Sequence, residues 1–188
     1  MEPLIRGGSP TLAVARATAD SVDVEQLATV AARTFALACP PTVPPGSVAS
    51  FVDTNLSAAR FAQYLTDPER AVLTAQRAKR IIGYAMLIRG VGEDPDVRRA
   101  VDIGPAAELS KMYVLPEHHG AGVAAALMEH ALDTAAGWGA RCVWLGVNQE
   151  NERAQRFYAK SGFAVAGTRT FQVGARREND FVMVRHLR

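Results

Sequence analysis

Glu108-Leu-Ser-Lys-Met-Tyr-Val-Leu-Pro116, followed by Glu117-His-His-Gly-Ala-Gly-Val-Ala124, runs from strand-like alternation through a glycine-bearing turn into an alanine-rich helical stretch. No Ser, Thr, Asp or Asn caps that helix. Its first backbone N–H groups therefore lack an internal partner, and the positive end of its dipole faces outward. This pattern predicts an anion site. Gly120 and Gly122 remove side chains that would hold a diphosphate off those N–H groups, so the backbone of Gly120, Ala121, Gly122, Val123 and Ala124 is the expected cradle. Within the strand, Leu109 shares a face with Met112 and Val114 only if the two-residue alternation slips once, which predicts a β-bulge. A bulge frees backbone groups around Met112, Tyr113 and Val114 for an amide-rich ligand, and coenzyme A offers both a diphosphate and two amides.

Upstream, Leu12, Val14 and Ala17 fit a short first strand, and Val24, Leu27, Ala28, Ala31 and Phe35 recur at helical spacing behind a cap at Asp20 or Ser21. The run Cys39-Pro-Pro-Thr-Val-Pro-Pro-Gly46 is a stiff loop, because proline removes donors and restricts the preceding residue. Two short helices, Ser47 to Leu56 and Ser57 to Leu65, lead to a hairpin of Ala71 to Ala75 and Ile81 to Ile88 around a turn at Gln76 to Lys79. Gly90 to Gly104 reads as a polar, acidic, Pro/Gly-punctuated connection. Downstream of the turn, Gly120 to Ala136 is helical, and Cys142 to Val147 is an uninterrupted apolar strand of the kind a parallel crossover requires. Asn151 to Lys160 is a further helix ended by Gly162, and Ala164 to Val173 and Phe181 to Leu187 are closing strands around a turn near Gly174. The order βα(α)βββαβαββ predicts one α/β domain over residues 11–188, a mixed sheet flanked by helices, behind a flexible tail over residues 1–10.

Composition narrows the function classes. The 188 residues are 48% hydrophobic, and 21 basic against 19 acidic residues leave a net charge of +2. Arg98-Arg99 and Arg176-Arg177 are the only arginine pairs, so no nucleic-acid-binding stripe is expected. Met1 to Pro10 has no signal-peptide core, and no run approaches the roughly 20 apolar residues that span a bilayer, so no membrane partner is expected and the cytoplasm is the expected location. Cys39 and Cys142 lie among apolar neighbours and read as buried free thiols. His118-His119 has only His130 and His186 for company at no ligand spacing, so these are exposed turn residues and no metal is expected.

His119-Gly-Ala-Gly122-Val-Ala124 resembles the Q/R-x-x-G-x-G/A signature of the GCN5-related N-acetyltransferases. The later block, with Asn151, Ala154, Tyr158, Gly162 and Phe163, is similar to that family's N-x-x-A-x-x-x-Y-x-x-x-G-F region. The likeness in element order covers about Leu12 to Leu187, with its specific motifs between Glu108 and Phe163. It implies a splayed mixed sheet with acetyl-coenzyme A lying between the fourth and fifth strands, and acetyl transfer to a primary amine by direct attack in a ternary complex. Tyr158 is then the expected acid for the departing thiolate, and Glu108 the base, directly or through a water. Asn151, which its position alone would make a helix cap, gains a contact to pantetheine. His119 stands where Gln or Arg is usual and is shorter, with a donor count that depends on pH.

Two other classes compete. Gly120-Ala-Gly122-Val-Ala-Ala125 also fits a lax G-x-G-x-x-A dinucleotide fingerprint, but the next strand ends at Val147-Asn148 without an acid for a ribose, and the motif follows hairpin strands instead of opening a βαβαβ unit. A non-catalytic acetyl-coenzyme A sensor would share the fold. The acceptor pocket is expected between the Pro40-to-Leu65 region and the turn near Gly174 to Arg177. A small amine or polyamine is the first expectation for its occupant, a peptide N-terminus or lysine the next, and a homodimer is left open.

Overall fold

The apolar strand segments join into one sheet in the computed structural model, which describes residues 10–173 and 176–188. The expected tail therefore falls outside the described residues up to Ser9, as does the expected turn at Gly174. The strands are β1 (Ala13–Arg16), β2 (Arg70–Arg77), β3 (Arg80–Arg89), β4 (Ala106–Val114), β5 (Cys142–Asn148), β6 (Ala164–Val173) and β7 (Arg176–His186), in the order β1-β2-β3-β4-β5-β7-β6. Every neighbouring pair is antiparallel except β4 and β5. A doubly wound dinucleotide fold needs a mostly parallel sheet, so that reading is excluded.

Among the described residues, six helices cover the two faces: α1 (Val24–Ala38), α2 (Pro45–Asn55), α3 (Ala58–Thr66), α4 (Pro95–Ala100), α5 (Val123–Gly137) and α6 (Glu152–Lys160). Val123, Leu127, Met128, Ala131 and Ala135 of α5 pack on the face that carries Leu73, Leu87, Leu109 and Leu145. On the opposite face α1 and α3 bury Leu27, Ala31 and Phe61 against Val72, Tyr84 and Met86. Val97 and Val101, at the α4 end of that face, cover Trp144, Val182 and Val184. Between these two covers the sheet face is left to polar side chains.

Several boundaries differ from the sequence expectation, α2 among them: it takes in Pro45 and Gly46, the end of the expected stiff loop, because proline suits the first helical turn. The cap of α1 is Asp23, whose Oδ1 accepts from Gln26 N at 3.0 Å; the Ser21 hydroxyl instead accepts from Thr18 N at 2.8 Å and closes the preceding turn. The connection at Gly90 to Gly104 contains α4, started by Asp94 as cap and Pro95 at the first position, a valid signal in a helix only six residues long. Strand β7 begins at Arg176, five residues before the apolar stretch, because its charged start pairs with the end of β6. The predicted bulge is present: Met86 pairs with Lys111 and Leu87 with Leu109, leaving Ser110 as the extra residue of β4.

Candidate active site

Strands β4 and β5 pair only at Ala106–Cys142, Ala107–Val143 and Glu108–Trp144. Beyond Glu108 they part, so one edge of Leu109 to Val114 and one edge of Leu145 to Asn148 have no strand partner. Buried backbone groups do not stay unpaired without a ligand or water to receive them. The opening forms a cleft of about 910 Å³ lined by β4 from Leu109, the turn after it, the start of α5, the end of β5 and α6.

At one end the chain turns through a single 3-10 turn, Pro116–His118, and enters α5 at Val123 rather than Gly120. Gly120 and Gly122 both have φ of +77°, a left-handed conformation that cannot lie inside a right-handed helix and that suits glycine. Gly122 is the cap residue and gives no side-chain hydrogen bond, so the N–H groups of Val123, Ala124 and Ala125 face the cleft unspent. The helix thus starts slightly later than the first glycine of the stretch read from the sequence as an anion cradle. Ala121 does not line the cleft; its carbonyl accepts from Arg77 Nη2 at 3.4 Å.

His119 is fixed from both sides. Its Nδ1 lies 3.0 Å from Arg153 Nη2 and its Nε2 2.9 Å from Val114 O. Arginine only donates, so Nδ1 accepts and the Nε2–H donates to the carbonyl. Arg153 was not picked out in the sequence, although it stands two residues after Asn151 in the first turn of α6. It brings a cation to the start of α5 from another helix. Asn151 does cap α6, its Oδ1 accepting from Ala154 N at 3.1 Å, and it also lines the cleft.

Tyr158 lines the cleft from α6, its ring packed edge-on against Phe157 and Phe163. Among the described residues its hydroxyl has no hydrogen-bond partner. Desolvation, with a smaller contribution from Tyr113, raises its pKa, so the phenol stays protonated. Met112, Tyr113 and Val114 also line the cleft.

Glu108 lies just outside that lining, on the sheet face between the α1/α3 cover and α4. Desolvation raises its pKa, against the lowering pull of Arg169, Lys111 and Arg70. The same strip holds Asp180, whose Oδ2 accepts from Arg169 at 3.1 Å, and Glu178, whose Oε2 accepts from Asn148 Nδ2 at 2.9 Å. Arg169 lies flat over Gly146, where any side chain would displace it. Arg176 of β7 donates to the Thr42 hydroxyl, so the proline-rich loop and the β6–β7 hairpin meet over this strip. Cys39 and Cys142 are free thiols, Cys142 buried and Cys39 half-buried.

Residues 34–163 match the model of the acetyltransferase (GNAT) family. An uncharacterized N-acetyltransferase of Mycobacterium tuberculosis is 64% identical over 165 residues, which make up 88% of this chain and 98% of the relative. A streptothricin acetyltransferase of Streptomyces lavendulae is 33% identical over 93 residues, 40% of this chain and 49% of the relative. Among solved structures, a PaiA N-acetyltransferase of Thermoplasma acidophilum in complex with coenzyme A has a TM-score of 0.73 at 19% identity, over 94% of this chain and 99% of that one. At that identity the likeness shows the fold.

Proposed function

This chain belongs to the acetyltransferase (GNAT) family, an N-acetyltransferase by its relatives, and from that premise we propose that it acetylates a small-molecule primary amine, using the β4–β5 cleft for acetyl-coenzyme A. The observation that carries the assignment is the convergence on one cleft of the unpaired β4 edge, the uncapped start of α5 and the free Tyr158 hydroxyl. The residues fit the cofactor: backbone N–H groups of Val123 to Ala125 and the Arg153 guanidinium meet a diphosphate, and the parted strand edges meet the amides of the pantetheine arm. Bound there, acetyl-coenzyme A supplies an activated acyl group with a thiolate leaving group.

The chain's own residues have two protons to manage. An alkyl ammonium with a pKa near 10.4 is neutral in only about one molecule in a few thousand at pH 7, a cost of about 4.6 kcal/mol. Glu108 takes that proton, directly or through one water, and desolvation makes it a stronger base than an exposed carboxylate. The freed amine attacks the acyl carbonyl, whose oxygen is met by an N–H of the Met112-to-Val114 edge. Tyr158 then gives its proton to the departing sulfur and regains one through water from the nitrogen, which sheds its second proton as the amide forms. Neither cysteine lines this arrangement as a nucleophile, so transfer is direct, without an acyl-enzyme.

The partial match to a streptothricin acetyltransferase supports a small-molecule acceptor. The test is a panel of small amines with acetyl-coenzyme A, read by release of free thiol. Thiol release that depends on both the amine and Tyr158 is expected; thermal stabilisation by the cofactor with no amine-dependent turnover would instead mark a sensor.

A further inference from the structure

In a regular strand, residues three apart face opposite sides of the sheet. The bulge at Ser110 undoes this and brings Glu108 and Lys111 onto one face, because Glu108 pairs with Ile88 and Lys111 with Met86. That face is the polar strip between the two helical covers. Lys111 also lines the cleft, half-buried, with the Phe51 ring of α2 6.0 Å from its Nζ. Its only hydrogen bond among the described residues is a long one, 3.4 Å, to the Ser110 carbonyl.

The other charges here are already matched. Arg70 pairs with Asp67 at 3.0 Å, Arg169 with Asp180 at 3.1 Å, and Arg176 with Glu178 at 3.5 Å. Among the described residues, neither Glu108 nor Lys111 has an ion-pair partner within 4.0 Å. One anion and one cation are thus left over beside the point where the strands part. A half-buried ammonium without a partner is costly to keep, and desolvation does lower the pKa of Lys111, with Arg169 and Arg70 adding to the effect against Glu108. With those pairs matched, Glu108 and Lys111 leave the strip without an excess of negative charge, so it gives no advantage to an acceptor that carries several ammonium groups.

We propose that Lys111 binds a carboxylate on the acceptor, so that the substrate of this acetyltransferase is a zwitterionic amino acid whose ammonium faces Glu108. This deepens the amine reading above and rests on it. The fit is one of complementary charges: the bulge supplies an anion and a cation on one face, and an amino acid supplies the opposite pair. A polyamine offers Lys111 nothing, and a peptide N-terminus carries its carboxylate far from its amine.

The test compares α- and ω-amino acids with their decarboxylated amines and their amides, using the full chain, acetyl-coenzyme A and thiol release. At least one amino acid is expected to exceed its decarboxylated partner by about tenfold or more in kcat/KM, the scale of a hydrogen bond to a charged group. Lys111→Met should bring that ratio close to one, and Lys111→Arg should restore most of it. Cofactor-induced thermal stabilisation, measured for each variant, confirms that it is folded. Turnover confined to polyamines, simple amines or peptide N-termini, or a ratio that Lys111→Met leaves intact, overturns the proposal while acetyl transfer stands. Absence of turnover with every amine overturns both.

Discussion

Glu108 meets two opposed demands, since the desolvation that makes it a better base also makes its charge costly in the folded state. Its folded pKa lies above the unfolded one, so the protein loses stability as pH rises from the ordinary glutamate range through the raised value. Glu108→Gln removes that loss. The variant is expected to melt with the native protein at acid pH and above it at neutral pH, while its turnover falls most at neutral pH and recovers as pH approaches the amine's own pKa. A turnover defect independent of pH would assign Glu108 a structural role. Tyr158 separates ring from hydroxyl in a similar way: Tyr158→Phe keeps the packing on Phe157 and Phe163. It should lower kcat by at least about 100-fold, the lower end for general acid catalysis, and change acetyl-coenzyme A affinity measured by calorimetry by less than about tenfold. Both residues stood out in the sequence as candidates, Tyr158 by motif spacing and Glu108 by its place at the start of the bulged strand. Arg153 and Lys111 did not, since a cation on a helix or strand reads as a solvated side chain until the fold shows what it faces.

At the scale of elements, the turn into α5 does the most. Its glycines were read in the sequence as making room for a diphosphate, and the left-handed φ at both adds a backbone reason for them. Gly122→Asp tests the anion site apart from the fold, because Asp tolerates that conformation better than most residues and can cap a helix. The free protein should melt within a few degrees of the native one, and acetyl-coenzyme A should no longer raise its melting temperature. At His119 the side-chain amide of Gln reproduces both roles of the ring, with Oε1 accepting from Arg153 and the amide nitrogen donating to Val114 O. His119→Gln should therefore leave cofactor affinity within about threefold, whereas Arg153→Ala should weaken it about tenfold, the scale of one charge-assisted hydrogen bond. Equal losses in the two variants would mean that the ring itself touches the cofactor. The elements that sequence reading placed well, β5, α6 and β6, are long or strongly patterned. The ones it misplaced depend on competition between local hydrogen bonds, as at Ser21, or on pairing of charged residues, as at Arg176.

At the scale of the whole molecule, the sheet consists of two antiparallel units, β1 to β4 and β5 to β7, joined by a parallel ladder of three residue pairs. The composition and element order announce a mixed sheet, while the place of its opening, between the fourth and fifth strands, came from the family resemblance alone, because the parting of two strands leaves no mark on either one's alternation. A ligand whose amides bond both parted edges would complete the sheet, acting as a missing strand between its halves. Binding to the folded state alone stabilises by about 2.7 kcal/mol at a cofactor concentration 100 times Kd, so the effect is large enough to follow by hydrogen exchange. Acetyl-coenzyme A is expected to slow exchange at cleft-facing amides within Leu109 to Val114 and Leu145 to Asn148, together with Val123 to Ala125 at the start of α5. Amides in the ladders between β2 and β3 and between β6 and β7 should change less, since their partners are already in place. The two regions separate two modes of binding. Protection at the helix start without protection at the strand edges would mean that the diphosphate is held while the pantetheine arm lies outside the sheet. In that case neither Glu108 nor Tyr158 would meet the acyl group, and the placement of the reaction between β4 and β5 would have to be abandoned.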